Sequence, residues 1–304
     1  MGAKIVLASE DIEKFKVMTF PEYRRLLDGF CGNSSLILVA SENQTHPEGL
    51  VVCQIDPSKN VGEILSVFVR KECRQTGIAQ EMFKILEARL NELGIQSVEL
   101  KYTVNNQKLH PIEEFLAKLG WPQPNLRMML FDIAIDKLVS ANWVQDIKEI
   151  QDEYRISYWH TVSEIELATL QTESWIPQEL SPSKHQFQGL DGKAVVPELS
   201  FVLRQNEEII GWHFTHKIDE EIARFSVSYI HPKFQQNLLL LKLWYYAGIE
   251  AQKAGYKSVR LGASIRHKQM MQFCERYLGP LATKVDYSKG AFKLLQTQEE
   301  AAWV

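Results

Sequence analysis

The residues best placed to do chemistry form one short run: Arg74, Gln75, Thr76, Gly77, Ile78 and Ala79, a polar turn containing a glycine. An apolar stretch at 62–69 precedes it, and a helical pattern follows to Leu93. The first amides of a helix have no partner inside it and the helix dipole is positive there, so such a turn can seat an anion. Gly77 and Ala79 are small enough to let an anion approach the backbone. The implied chemistry is the binding of a phosphate-bearing cofactor.

Other reactive side chains are less suggestive. Cys73 stands beside the turn, but no histidine lies near it in sequence, so a structural or incidental role is expected. His213 and His216 are three apart on an expected strand, where alternation puts them on opposite faces and keeps them from sharing a metal. The four cysteines, Cys31, Cys53, Cys73 and Cys274, show neither the close pairs of a zinc site nor the density of a disulfide framework.

A chain of 304 residues can form two domains, and 45% hydrophobic with 24% charged residues is the composition of a soluble globular protein. With a formal net charge of -4 there is no overall basic field to hold nucleic acid or an anionic membrane, and neither is an expected partner. No apolar run reaches membrane-spanning length and the first residues lack the apolar core of a signal peptide, so the cytoplasm is the expected compartment.

The elements that must position the turn can be read in order. Residues 11–30 have helical spacing in Phe20, Tyr23, Leu26 and Leu27. Strands are expected at 36–40, 49–55 and 62–69, joined by polar turns as an antiparallel meander. The helix after Gly77 carries Ile78, Met82, Leu86, Leu90 and Leu93 on one stripe, with Gly94 as its stop. An alternating strand at 97–104 follows, and a strand, helix, strand connection of this length implies a parallel pair. A short helix at 111–121 and a strand at 126–133 complete an α+β domain.

The chain then repeats itself. The segment Gly94-Ile95-Gln96-Ser97-Val98-Glu99-Leu100 returns 161 residues later as Gly255-Tyr256-Lys257-Ser258-Val259-Arg260-Leu261. At the same offset the strand and helix around the turn have counterparts. Gly49 answers to Gly211 with a shift of one residue, and 36–40 answers more loosely to 199–203. At the turn the copies differ: Glu63, Arg74, Gly77 and Ala79 become Arg224, Gln235, Leu238 and Leu240. The second copy is expected to keep the fold and lose the site. The expected division is a first domain at 1–137, a connecting helix at 138–152 and a second domain at 153–304.

Strand order, turn and repeat together resemble the GNAT superfamily of acyl-CoA-dependent N-acyltransferases, in tandem form. The signature of that family is Arg or Gln, two residues, Gly, one residue, then Gly or Ala, and Arg74 to Ala79 matches it. The resemblance implies two GNAT-like domains, each a mixed, mostly antiparallel sheet flanked by helices, with acetyl-CoA as co-substrate. It implies that amides of Gln75, Thr76, Gly77, Ile78 and Ala79 hold the pyrophosphate with Arg74 beside it. Main-chain groups of Phe68 and Val69 would pair with the pantetheine arm, and the Val69 N–H would stabilise the oxyanion. Glu63, eleven residues before Arg74, stands where the histone-acetylating branch carries its general base. Leu116 stands where the family commonly has a tyrosine acid. Tyr102 could substitute only if it faces the cleft, and its alternation with Val98, Leu100 and Val104 favours packing.

The implied activity is N-acetyl transfer to a small or peptidic primary amine in the first domain. The alternatives are a non-catalytic acyl-CoA binder or sensor and a tandem interaction module. The chain would be a monomer with two pseudo-equivalent halves, or a homodimer. Trp175 is a candidate acceptor contact if the second domain lends a wall.

Overall fold

Turn residues and alternation set the strands, and glycine decides how closely two of them approach. The computed structural model describes residues 2–5, 12–28, 35–43, 46–105, 110–148, 153–185, 194–236 and 238–295. The chain divides into two compact units, Met1–Leu126 with Ser288–Val304, and Arg127–Tyr287. No helix among the described residues is long and apolar enough to cross a membrane.

Unit 1 contains β1 (Gly2–Ile5), β2 (Leu36–Glu42), β3 (Pro47–Asp56), β4 (Val61–Val69) and β5 (Ser97–Val104). They are ordered β1-β2-β3-β4-β5, with the C-terminal part of β12 (Ala282–Leu294) next to β5. β1 with β2, β2 with β3 and β3 with β4 pair antiparallel, and β4 with β5 pairs parallel. The expected helix at 11–30 is instead a 3-10 helix, Glu13–Met18, followed by α1 (Pro21–Asp28). Pro21 disfavours helical backbone in the residue before it, so the chain breaks there. Asp11, Gly29 and Phe30 lie outside the described residues. Helices α2 (Ile78–Glu92) and α3 (Pro111–Lys118) complete the unit. Met82, Phe83, Leu86 and Leu90 of α2 are fully buried against Val51, Cys53, Ile64 and Val98. Phe15, Met18, Leu38, Leu50 and Val52 form a separate core on the opposite face of the sheet.

Unit 2 repeats the pattern. It holds β6 (Asn125–Ala134), β7 (Tyr154–Tyr158), β8 (Phe201–Gln205), β9 (Glu208–Lys217), β10 (Ile222–Ile230) and β11 (Ser258–Ser264). Their order is β6-β11-β10-β9-β8-β7, again with one parallel pair, β10 with β11. Its helices are α4 (Ile135–Val139), α5 (Val144–Lys148), α6 (Glu164–Thr172), α7 (Pro182–His185), α8 (Leu239–Lys253) and α9 (Lys268–Tyr277). The spans of β4, α2 and the start of β5 match those of β10, α8 and β11 at the offset of 161. Ladder partners place Val39, Ala40 and Ser41 opposite Val51, Leu50 and Gly49, and Phe201, Val202 and Leu203 opposite His213, Trp212 and Gly211. The loose match of 36–40 to 199–203 therefore moves by one residue.

Two boundaries differ from expectation. The strand expected to close the first domain, β6, pairs antiparallel with β11 from Met128↔Ser264 to Ala134↔Ser258 and so belongs to unit 2. Arg260 holds Asp132 in a bidentate pair across that ladder, at 2.6 and 2.7 Å. Unit 1 receives the end of β12 instead, anchored by Lys289 on Glu113 and Lys293 on Glu87, each at 2.8 Å. Of the expected connecting helix at 138–152, the described residues to 148 contribute to two short helices packed in unit 2, and 149–152 lie outside the described residues. Leu138, Trp143, Val144 and Ile147 lie in the core of unit 2, and the Ser140 hydroxyl takes the Asp136 carbonyl at 2.5 Å where α4 ends.

Glycine is required where β9 passes β10. A Cβ on Gly211 would stand 2.6 Å from Ile230 Cδ1 and 2.7 Å from the Tyr229 carbonyl oxygen. At Gly49 the nearest atoms are Met82 Cε, the end of a flexible side chain, at 2.8 Å and the Phe68 carbonyl oxygen at 3.1 Å. Gly211→Ala should therefore destabilise the protein by about 1–3 kcal/mol, with Gly49→Ala costing less. Urea unfolding monitored by circular dichroism tests this, and equal midpoints for Gly211→Ala and the parent would refute it.

Candidate functional site

The site begins where β4 and β5 part. Their parallel pairing runs from Val61↔Ser97 to Ile64↔Leu100, although β4 continues to Val69 and β5 to Val104. At the parting point β4 carries a bulge: Cys53 opposes Ile64 and Val52 opposes Ser66, leaving Leu65 as the extra residue.

Main-chain direction beyond the bulge follows from one hydrogen bond. Arg70 N–H donates to the Glu48 carbonyl at 2.9 Å, so Arg70/Glu48 is a hydrogen-bonded pair of the antiparallel ladder. Bonded and non-bonded pairs alternate, so the groups of Val69 and Val67 turn away from β3, toward the side that β5 has left. Phe68 is engaged with Leu50 instead. Of the two residues expected to present main chain, Val69 does so and Phe68 does not. Val67 takes its place, and a period-two reading of the strand would have found it.

The turn is built to leave amides free. Gln75 and Gly77 have φ of 65° and 91°, and a Cβ on Gly77 would meet nothing within 4 Å. Space above Gly77 is open, and its left-handed backbone is what favours glycine. The first intrahelical bond of α2 runs from Glu81 N–H to the Gly77 carbonyl at 3.0 Å, so the amides of Ile78, Ala79 and Gln80 have no helical acceptor. The Thr76 hydroxyl is spent on the Cys73 carbonyl at 2.7 Å. Arg74 donates Nε to the Val69 carbonyl at 3.1 Å, which fixes the turn to β4 and leaves its two terminal amino groups for an anion. Burial and the carboxylates of Glu48 and Glu72 push the Cys73 thiol up, which disfavours a thiolate nucleophile.

Glu63 lies on β4 two residues before the bulge, its side chain 39% exposed. Its carboxylate accepts from Lys101 Nζ at 2.8 Å, and the same ammonium reaches Glu99 at 2.6 Å. Tyr23 of α1 approaches from the same side: burial pushes its phenol up, and the charges of Glu22 and Glu63 add to this. Lys101 and Tyr23 were not singled out from the sequence. The available signal was the polar alternation of Ser97, Glu99, Lys101 and Thr103 along β5.

Tyr102 points the other way, into the core beneath α2 with Val98 and Leu100. Burial, then the neighbouring Glu113 carboxylate, push its phenol well above the ordinary value. An acid so weakened, beside a carboxylate, is a poor proton donor, and packing is its role. Leu116 is fully buried, so no polar group replaces the expected tyrosine there.

Unit 2 keeps this framework. Pairing of β10 with β11 ends at Phe225↔Leu261, and Ser226 is the bulge residue. His231 N–H donates to the Ile210 carbonyl at 2.7 Å, and Gln235 Nε2 reaches the Ile230 carbonyl at 2.9 Å, as Arg70 and Arg74 do in unit 1. The contents differ. Leu238 occupies the position of Gly77 with φ of 53° and packs its side chain against the core. Trp175 lies within unit 2, stacked on Tyr229 at 5.9 Å and beside Trp212 and His231, and the Tyr229 hydroxyl donates to the Trp175 carbonyl at 2.9 Å.

Residues 7–121 match the acetyltransferase (GNAT) family. A tandem GNAT protein from the clavulanic acid biosynthesis pathway superimposes over 97% of this chain and 99% of its own, with TM-score 0.69 and 11% identity. The chain is a tandem GNAT-fold protein. A GCN5-related N-acetyltransferase from Sphaerobacter thermophilus covers 97% of this chain and 96% of its own, with TM-score 0.60 and 11% identity. A GCN5-related glucosamine N-acetyltransferase region of a fungal multi-domain β-N-acetylglucosaminidase covers 95% of this chain and 38% of its own, with TM-score 0.61 and 12% identity. No curated protein matches the sequence.

In this tandem GNAT-fold protein the two histidines of β9 do lie on opposite faces. His213 is completely buried, with Nδ1 2.7 Å from the Ser228 hydroxyl and Nε2 2.9 Å from the Thr215 hydroxyl. Burial, with a contribution from His216, pulls its pKa down to about 3. A folded value below the unfolded one costs stability as pH falls below the ordinary histidine range, because only the unfolded state then takes the proton. Between pH 7 and 5 this removes about 2 kcal/mol. His213→Asn should flatten the fall in stability over that interval, as measured by urea unfolding at each pH. An unchanged slope would show that other groups cause it.

Proposed function

We propose that unit 1 is an N-acyltransferase that moves an acetyl group from acetyl-CoA to a primary amine by direct attack, and that unit 2 is catalytically silent. One observation carries the reading: the outward main chain of Val67 and Val69, at a split strand pair, leads directly into the unbonded amides that open α2. An extended pantetheine arm would add to β4 like a strand, and its pyrophosphate would meet the amides from Gln75 to Ala79 and the Arg74 guanidinium. The acyl carbonyl would accept from an outward N–H, which stabilises the oxyanion formed on attack. Val67 lies four residues from Glu63 and Val69 six, so Val67 is the nearer donor to a base at Glu63.

An amine arrives protonated at neutral pH, and Glu63 would take its proton directly or through water. The fully buried Leu116 favours a second reading, a protein that binds acyl-CoA without turnover. The acceptor would be a small or peptidic amine. An amino sugar belongs in any screen, since the fungal region is named for that acceptor. A cytoplasmic setting is part of the same reading.

Glu63→Gln separates the readings, and Gly77→Trp tests the cofactor site that both share. Glu63→Gln should keep acetyl-CoA affinity by calorimetry while thiol release with the best amine of a screen falls by about 100-fold or more. Retained turnover would remove Glu63 from the mechanism, and no turnover in the parent with any amine would favour the binder. Gly77→Trp should abolish acetyl-CoA binding, because the indole would occupy the open space above the turn.

A further inference from the structure

We propose that Lys101 is itself an acyl acceptor, so that without an external amine unit 1 transfers the acyl group to the Lys101 ε-amine. The inference rests on the acyltransferase reading of unit 1. A primary amine already touches the carboxylate assigned as base: Lys101 Nζ is 2.8 Å from Glu63 Oε1. Its position on β5 is one residue past the last pair, Ile64↔Leu100, at the rim of the opening that would receive the thioester. Its alternation with the buried Leu100 puts its side chain on the face away from α2, the face that also carries Glu63.

The lysine is held but not sealed in. Its side chain is 32% exposed, and its flexible four-carbon stem can swing from Glu63 and Glu99 toward the gap between the strands. Both carboxylates keep it close to the opening, which raises its effective concentration there. Other paired lysines lack this placement. Lys253, for example, pairs with Glu250 on the exposed side of α8, with its side chain 65% exposed.

The step balances without a further reactant. The Lys101 ammonium gives one proton to the Glu63 carboxylate, and the freed lone pair attacks the thioester carbon. The C–N bond forms, the C–S bond breaks and the electron pair leaves with the thiolate. Of the two protons the nitrogen sheds, one reaches the thiolate from Glu63 through water and the other goes to solvent. The products are an Nε-acyl-lysine, the free thiol of coenzyme A and one proton. Acylation also removes the charge that pairs Glu63 with Glu99.

Incubating the full chain with acetyl-CoA and no amine, then mapping acetylated peptides by mass spectrometry over time, tests the proposal. Lys101 should label at least about 100-fold faster than Lys253, the lower end of what a positioned base contributes. Glu63→Gln should bring its rate near that of Lys253 while calorimetry still shows acetyl-CoA binding, and Lys101→Arg should remove the fast site. Labelling of Lys101 no faster than Lys253, or equally fast in a cofactor-binding Glu63→Gln, would overturn the inference. Thiol release with added amines while Lys101 stays unmodified would overturn it and leave the acyltransferase reading standing. Absence of acetyl-CoA binding in the parent would end both.

Discussion

Two parallel strands that stop pairing expose main-chain donors and acceptors, and these need partners wherever water is scarce. In unit 1 this happens after Ile64↔Leu100, and most features of the site depend on it. The bulge at Leu65 changes which faces the residues of β4 address, so Val67 and Val69 lie on the α2 face while Glu63 and Phe68 lie on the other. The Arg74 guanidinium caps the Val69 carbonyl and ties the turn before α2 to the strand. An unpaired strand edge thus runs directly into a row of helix amides. One extended anionic ligand can satisfy both.

The second copy keeps the frame while the residues at its turn differ. Bulge, parting point and the side-chain contact to the strand carbonyl all survive, the last with Gln235 in place of Arg74. Leu238 keeps the left-handed backbone of Gly77 at a cost of about 1–2 kcal/mol, offset by packing its side chain against the core. On the other face Trp175, Trp212 and Tyr229 pack together. At the offset of 161 the polar group Glu63, Glu99 and Lys101 has Arg224, Arg260 and Gly262 as its counterparts, and Arg260 is paired with Asp132.

Much of this could be read in advance because it is local. Helix α2 and its glycine stop follow from apolar spacing and the left-handed Gly94. The offset of 161 places β10, α8 and β11 correctly, since these elements fold in the same way in both copies. Sequence reading failed at two kinds of place. One was local competition: Pro21 breaks the first helix. The other was partnership between distant residues. Nothing in the alternation of 125–134 says that Asp132 will meet Arg260, or that Glu113 will meet Lys289.

The sequence by itself determined the elements, the repeat and the glycine turn that opens α2, because helix periodicity, strand alternation and the backbone freedom of glycine act within a few residues. It also determined the difference between the copies at Glu63, Arg74, Gly77 and Ala79. Only the tertiary structure decided that β6 closes unit 2 and that the end of β12 closes unit 1, because ladder hydrogen bonds are alike for every strand and the choice rests on side chains far apart in the chain. It alone decided that Val67 rather than Phe68 turns its main chain outward, and that Glu63 shares its charge with Lys101. Those facts depend on where one strand leaves another, which no local pattern records.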